Sequence, residues 1–259
     1  MKRIKKVGIA LCWLLLWEIA SLIVHNKILL AGPIEAFRAL VGMAGSADFG
    51  TSVLSSVFHI VSGIVLGGIT GILLGSLSLK FKLLGEFLSP VVTALKSVPV
   101  ASFVVLILIW IGSDSLSTVI VTLVVFPIIY LATVGGFTAA DNELLEMAHV
   151  YRMPTAAKIR YIYIPALIPS YLGAFSVAVG MGFKSGVAAE VIGQPLLTMG
   201  NGLYRSKINL DTAEVFAWTF TIILASWVTE KMFSFLIYLC KMLFMPGASN
   251  DAGTNAEEA

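Results

Sequence analysis

Three charged residues stand inside long apolar stretches of this sequence, where charge is costly. Lys96 precedes Ser97, Val98 and Pro99, and Lys184 and Glu190 share a stretch with few other polar residues. A charge at the centre of a bilayer costs roughly 2.5–3.5 kcal/mol on insertion scales, so such groups normally face protein or water. We predict that Lys96, Pro99, Lys184 and Glu190 border a polar pathway. The alternatives are that Lys96 caps carbonyl groups freed at the proline and that Lys184 has an interhelical partner.

The residues give little support for nucleotide binding, enzyme catalysis or metal coordination. A phosphate-binding loop needs G-x-x-x-x-G-K-[ST], but in Gly182-Phe183-Lys184-Ser185 a phenylalanine separates glycine from lysine. The motifs H-E-x-x-H and G-x-S-x-G are absent. Cys12 and Cys240 lie far apart in apolar stretches, and the three histidines are scattered. We therefore predict no enzyme, no metal site and no cofactor, and the net charge of +2 is too small to suggest nucleic acid.

The elements that position these residues are apolar helices. Hydrophobic residues make up 58% of the 259-residue chain and charged residues 12%, against roughly 45–50% and 25% in soluble domains. The apolar runs are continuous, which favours helices over a barrel as the membrane-crossing structure. We predict an all-α membrane protein with about six transmembrane helices, at 7–24, 54–79, 84–111, 116–137, 164–190 and 213–243.

The chain divides into three predicted segments. Residues 1–53 comprise an N-terminal transmembrane helix, retained rather than cleaved as a signal peptide, and an external segment. Residues 54–243 form a core of five transmembrane helices, and residues 244–259 form a small, acidic, disordered tail.

Lysine and arginine predict the orientation, since these residues are enriched on the cytoplasmic side. With the N-terminus inside, ten of them lie in cytoplasmic segments and four in external ones. An even number of spans then places the C-terminus in the cytoplasm as well. We predict a multi-pass inner-membrane protein with both termini cytoplasmic.

Two features of the spans predict local structure. Glycines recur every four residues along the second span, which favours close packing against another helix; they are Gly63, Gly67, Gly71 and Gly75. In the third span, Pro99 lacks a backbone donor and disfavours helix at Val98, so we expect a kink or an unwound turn there.

Residues 140–165, between the fourth and fifth spans, predict two short helices. Leu144, Leu145, Ala148 and Tyr151 repeat at helical spacing, Asp141 or Asn142 provides an N-cap, and Pro154 begins the second helix. An amphipathic helix that projects from a membrane domain needs a partner for its apolar face. We predict that a soluble protein docks there.

This segment resembles the cytoplasmic loop of ABC-importer permeases, whose pattern is Glu-Ala-Ala, three residues, Gly, nine residues, Ile-x-Leu-Pro. The chain has Glu146-Met147-Ala148, then Arg152 at the glycine position, then Ile162-Tyr163-Ile164-Pro165. Further segments resemble the nitrate/sulfonate/taurine-type branch; they are Ser97-Val-Pro-Val-Ala, Leu106-Ile-Leu-Ile-Trp-Ile-Gly112, Phe126-Pro127, Glu143-Leu-Leu-Glu146 and Ala189-Glu190 with Gly193.

The resemblance implies a type I ABC-importer permease fold and a transport subunit that is not itself an enzyme. Two copies would form the pathway in the lipid bilayer, two separate ATPase subunits would dock on the cytoplasmic loops, and an external binding protein would deliver a small, anionic solute. The coupling residues implied are Glu143, Leu145, Glu146, Ala148, Tyr151, Arg152 and Pro165. Arg152 puts the turn geometry in question, because the family glycine lets the chain turn. The alternative function is a stand-alone secondary transporter or channel.

Overall fold

The computed structural model describes residues 2–26 and 28–244, which form eleven α-helices, one π-helical turn and no β-strand. In chain order the helices are α1 (Lys2–Val24), α2 (Pro33–Ala44), α3 (Ala47–Lys80), α4 (Lys82–Ser97), α5 (Val100–Ile111), α6 (Leu116–Thr138), α7 (Asn142–Val150), α8 (Thr155–Lys158), α9 (Ile164–Gly193), α10 (Met199–Ile208) and α11 (Thr212–Phe244). The π-helical turn Ile159–Tyr163 joins α8 to α9.

The all-α membrane fold predicted from composition is confirmed. Four helical stretches are long and apolar enough to cross a membrane; they are Ala47–Lys80, Leu116–Thr138, Thr155–Gly193 and Thr212–Leu239. The pair α4 and α5 forms a fifth stretch, and Leu11–Val24 of α1 is a shorter apolar helix. These elements correspond in order to the six predicted spans.

The predicted break in the third span is confirmed and is sharp. Helix α4 ends at Ser97, α5 begins at Val100, and their axes differ by 104°. Val98 is extended, with φ −75° and ψ 133°, as expected for a residue before proline. The predicted span 84–111 is therefore two helices rather than one kinked helix.

The glycine stripe packs α3 directly against α6. A Cβ atom built on Gly63 would lie 2.7 Å from the Thr118 carbonyl oxygen, and one on Gly67 would lie 2.9 Å from the Thr122 carbonyl oxygen. The Thr118 hydroxyl also donates to the His59 carbonyl at 3.0 Å. Backbones approach this closely only where side chains are absent, so α3 and α6 form the most extensive helix pair of the bundle, with α9 against both.

The N-terminal helices pack on α11. Trp17 of α1 lies with its ring centroid 4.9 Å from that of Phe216 on α11. Helix α2, which lies in the predicted external segment, packs along the same helix. Helix α3 begins at Ala47, so the predicted segment boundary after residue 53 falls inside a helix. The predicted tail lies, after residue 244, outside the described residues.

Candidate functional site

Helix α7 is a short helix between two spans, and hydrogen bonds define both of its ends. At the first end, the Asp141 side chain accepts from the Glu143 backbone N–H at 2.9 Å. At the second end, the Arg152 N–H donates to the His149 carbonyl at 3.0 Å and the Met153 N–H donates to the Ala148 carbonyl at 2.9 Å. These two bonds form a Schellman motif. The helix is therefore held at a fixed length and direction.

Arg152 performs the turn that the family pattern assigns to glycine. Its φ is +50°, in the left-handed region that side chains disfavour. Arg152 thus adopts the left-handed conformation that a glycine would adopt at this turn. Pro154 follows in an extended conformation as the N-cap of α8. A left-handed arginine at this position carries a cost in conformational energy that glycine would not.

We expect Arg152→Gly to stabilise the turn, because glycine removes the penalty of roughly 1–2 kcal/mol for a left-handed residue and gives back about half in unfolded-chain entropy. Hydrogen-exchange protection of the Met153 amide should rise about two- to fivefold. Arg152→Ala is the control, since it removes the guanidinium but keeps the Cβ atom. Equal protection in both variants would show that the left-handed backbone is not the source of the strain.

One face of α7 packs onto the chain itself. Ala148 is fully buried, in a cluster with Ala140 and Ile162, and Leu145 and Met153 pack against it. Ala148, which the resemblance includes among the coupling residues, therefore faces the chain itself rather than the surface. The small side chain is needed because α7 lies directly on the segment that leads into α9.

The opposite face of α7 is apolar and exposed. Leu144 and Met147 are 42% and 46% exposed, and Val150 and Tyr151 are 76% and 79% exposed. Glu143, Glu146 and Arg152 are exposed around them. Sequence reasoning grouped Leu144, Leu145, Ala148 and Tyr151 on one face and missed Met147 and Val150. The spacing of 144, 147 and 151 was the signal for this second face.

Pro165 lies at the entrance to α9, directly after the π-helical turn. The Ile164 N–H donates to the Ile159 carbonyl, five residues back. Pro165 has no backbone N–H and so donates no hydrogen bond to the preceding turn. The wider π-helical turn accommodates this missing hydrogen bond, and the helix Thr155–Gly193 continues without interruption.

The predicted pathway residues do not form one cluster. Lys96, Pro99 and Lys184 are exposed. Lys184 shares a face of α9 with Gly180, and a Cβ atom built on Gly180 would have no neighbouring element within 4 Å, so this face is uncovered. Glu190 is fully buried instead, so it does not line an open pathway. The helix continues through Gly186, which packs on Ile60. Glu190 therefore lies six positions after Lys184 on an unbroken helix, where the two side chains are not neighbours.

The described residues contain no group of three or more His, Cys, Asp or Glu side chains arranged to hold a metal ion. Cys12 is free and exposed, while the Cys240 side chain lies outside the described part of the structure.

Fold and site together define a class: a polytopic helical membrane protein with a short helix between two of its spans, fixed at both ends by hydrogen bonds. The sequence pattern of the family described as "Binding-protein-dependent transport system inner membrane component" matches residues 63–239, well over half of the chain. The chain belongs to this family, whose members are transport subunits, and a stand-alone transporter is not favoured.

Three named relatives are similar to the chain. It is 25% identical over 180 residues to a Bacillus subtilis protein assigned as the aliphatic sulfonates transport permease SsuC, covering 69% of this chain and 65% of that one. It is 28% identical over 149 residues to the nitrate import permease protein NrtB of Synechococcus elongatus, covering 57% and 53%. It is 22% identical over 182 residues to the taurine transport system permease protein TauC of Escherichia coli, covering 68% and 66%. The matches thus span between about half and two thirds of these relatives.

A solved structure shares the fold. The crystal structure of an amino acid ABC transporter with histidines superposes with a TM-score of 0.58 over 75% of this chain and 92% of that chain, at 17% identity. The predicted permease fold and its branch are confirmed by these comparisons.

Proposed function

We propose that this chain is the transmembrane permease subunit of an ATP-driven importer. The observation that carries the proposal is α7, which is fixed at both ends and presents exposed apolar side chains that no other described part of the chain covers. A soluble ATPase subunit is the partner that this surface fits. Family membership supports the assignment, and two permease copies with two ATPase subunits form the proposed assembly.

The proposed orientation places α7 in the cytoplasm, with both termini on the same side. The excess of ten lysine and arginine residues over four supports it. An external binding protein would then approach the opposite side, where α2 and α10 lie. The proposed solute is a small anion, because three named relatives are permeases for sulfonates, nitrate and taurine.

Reconstitution tests this function. The chain is co-expressed with a candidate ATPase and incorporated into liposomes with a binding protein enclosed or added outside. We expect solute uptake that needs ATP and binding protein together. Uptake by the purified chain alone would instead establish a stand-alone transporter.

The two exposed lysines are proposed to favour the anion in transit. A lysine about 8 Å from a unit charge contributes roughly 2 kcal/mol at an effective dielectric constant of about 20. In the liposomes above, Lys184→Met with Lys96→Met should therefore lower anion uptake more than tenfold. Lys184→Arg should retain most of it.

Lys231→Met is the matched control, because that lysine is also exposed but lies on α11. Unchanged uptake in the double variant, or an equal loss in the control, would exclude a role of these two lysines in the pathway.

A further inference from the structure

Helix α4 carries all of its charged and hydroxyl-bearing side chains on one side. At about 3.6 residues per turn, these residues fall within an arc of about 100° around the helix axis. All of them are exposed, and they form the polar side of α4: Lys82, Glu86, Ser89, Thr93, Lys96 and Ser97. The helix is therefore strongly amphipathic, although it belongs to a stretch that is apolar enough to cross a membrane.

The rest of the α4 surface is apolar. Val92 is buried in a cluster with Phe126 and Tyr130 of α6, so one side of α4 packs on the bundle. Phe87 and Val91 lie on another side and are exposed. The apolar sides suit a protein core and hydrocarbon, whereas the polar side suits neither.

A shallow groove runs along the polar side and is lined by α4 alone. Gly85, Glu86, Ser89, Thr93 and Ser97 are among its lining residues. The hydroxyls of Thr93 and Ser97 each donate to the carbonyl group one turn earlier at 2.9 Å. Their oxygen lone pairs can still accept hydrogen bonds from water or from a solute.

The polar side lies at membrane depth. Tyr130 is eight residues before the end of α6, so Val92 lies about 12 Å inside that end. Val104 of α5 packs with Ile120 near the start of α6, so α4 and α5 together run antiparallel to α6. Lys96 lies about 6 Å beyond Val92 and therefore near the middle of α6. Because α7 follows the end of α6, α4 occupies the half of the bundle next to α7.

We infer that the polar side of α4 lines a water-filled section of the solute pathway, between the bend at Pro99 and the end of the bundle next to α7. The inference rests on the proposed transport function and extends it from two lysines to a continuous surface. Charged side chains on a spanning helix are costly against hydrocarbon, so they face protein or water. A lysine at the inner end, followed by a row of hydroxyls, suits a small hydrated anion.

Symmetry favours water over direct packing on this side. In the proposed assembly of two copies, an axis along the membrane normal places equal depths opposite each other. Close packing of the two polar sides would then bring Lys96 to Lys96 and Glu86 to Glu86. Like charges repel each other, so a water-filled gap fits these surfaces better than a dry contact.

Thiol labelling in liposomes tests whether water reaches the polar side. The native cysteines are removed by Cys12→Ser and Cys240→Ser, and one cysteine is introduced by Thr93→Cys on the polar side or by Val91→Cys on the apolar side. Both positions are exposed and differ in depth by only about 3 Å. A hydrophilic methanethiosulfonate reagent on both sides of the membrane should react with Thr93→Cys about tenfold faster or more, because the reactive thiolate forms in water.

Both variants should label fully after denaturation in detergent, which controls for the presence of the thiol. Equally slow labelling in liposomes would show that lipid or protein covers the polar side, and equally fast labelling would place α4 at the membrane surface. Either result would overturn the inference. Labelling needs no ATP, so a contrast without ATP-dependent uptake would contradict the importer, and uptake without a contrast would contradict only the pathway lining.

The charge of the reagent tests the preference for anions. Each rate is divided by that of the same reagent with a free thiol. A sulfonate-bearing reagent should then react with Thr93→Cys roughly three- to tenfold faster than an ammonium-bearing one, because Lys96 lies one turn away. Lys96→Met should remove this preference, whereas Lys82→Met, about three turns away on the same side, should keep it. An unchanged preference in Lys96→Met would overturn its role as the group that attracts the anion.

Discussion

Gly67→Ala is expected to destabilise the bundle strongly, while Gly68→Ala leaves it intact. A Cβ atom at Gly67 would lie 2.9 Å from both the Thr122 carbonyl oxygen and the Val125 Cβ atom, neither of which can move without shifting α6. Overpacking of this kind costs about 1–3 kcal/mol. The melting temperature in detergent should fall by about 3–10 °C.

Gly68→Ala is the matched control for Gly67→Ala. It is the next residue of the same helix and is also buried, but its Cβ atom would meet only the Phe175 ring at 3.7 Å, an ordinary contact. Alanine there gains up to about 1 kcal/mol in helix propensity. Equal melting temperatures for the two variants would contradict the close packing of α3 on α6.

Met147→Glu is expected to release the proposed ATPase subunit without unfolding the chain. Met147 lies on the exposed face of α7 between Leu144 and Tyr151, and a carboxylate buried in an apolar contact is unfavourable. Co-purification of the ATPase should fall more than tenfold, while the melting temperature of the isolated chain stays near that of wild type.

Two comparisons isolate the docking effect. Met147→Leu keeps an apolar side chain of similar size and should retain the ATPase. Ala148→Arg should lower the amount of folded chain itself, because Ala148 is buried between Ala140 and Ile162. Retention of the ATPase by Met147→Glu would place the docking surface elsewhere.

In the proposed assembly, α7 is the element that would link the docked ATPase subunit to the transmembrane helices. The Asp141 cap fixes one end of α7, and the turn at Arg152 fixes the other. Its buried face contacts Ile162, just before α9, so a displacement of α7 on ATPase binding would be passed to the helix that bears both Lys184 and Glu190. We propose this contact as the route from the docked ATPase subunit to the transmembrane helices.

The sequence by itself determined the features that depend on near neighbours along the chain. Long uncharged runs can be satisfied only by membrane helices, which predicted the fold class. The glycine period predicted a close helix contact, and Pro99 predicted the break between α4 and α5. The pattern from Glu146 to Pro165 predicted the family, because its residue types and spacing are read directly.

Only the tertiary structure decided which side of each helix is covered, since that depends on distant partners. Leu145 and Ala148 face inward on α7 while Met147 and Val150 face outward, because Ile162 and Ala140 occupy one side of the helix. Glu190 looked like a pathway residue, but Ser56, more than a hundred residues earlier, and the start of α10 enclose it. The sequence likewise did not predict the left-handed turn at Arg152, because arginine usually avoids that conformation.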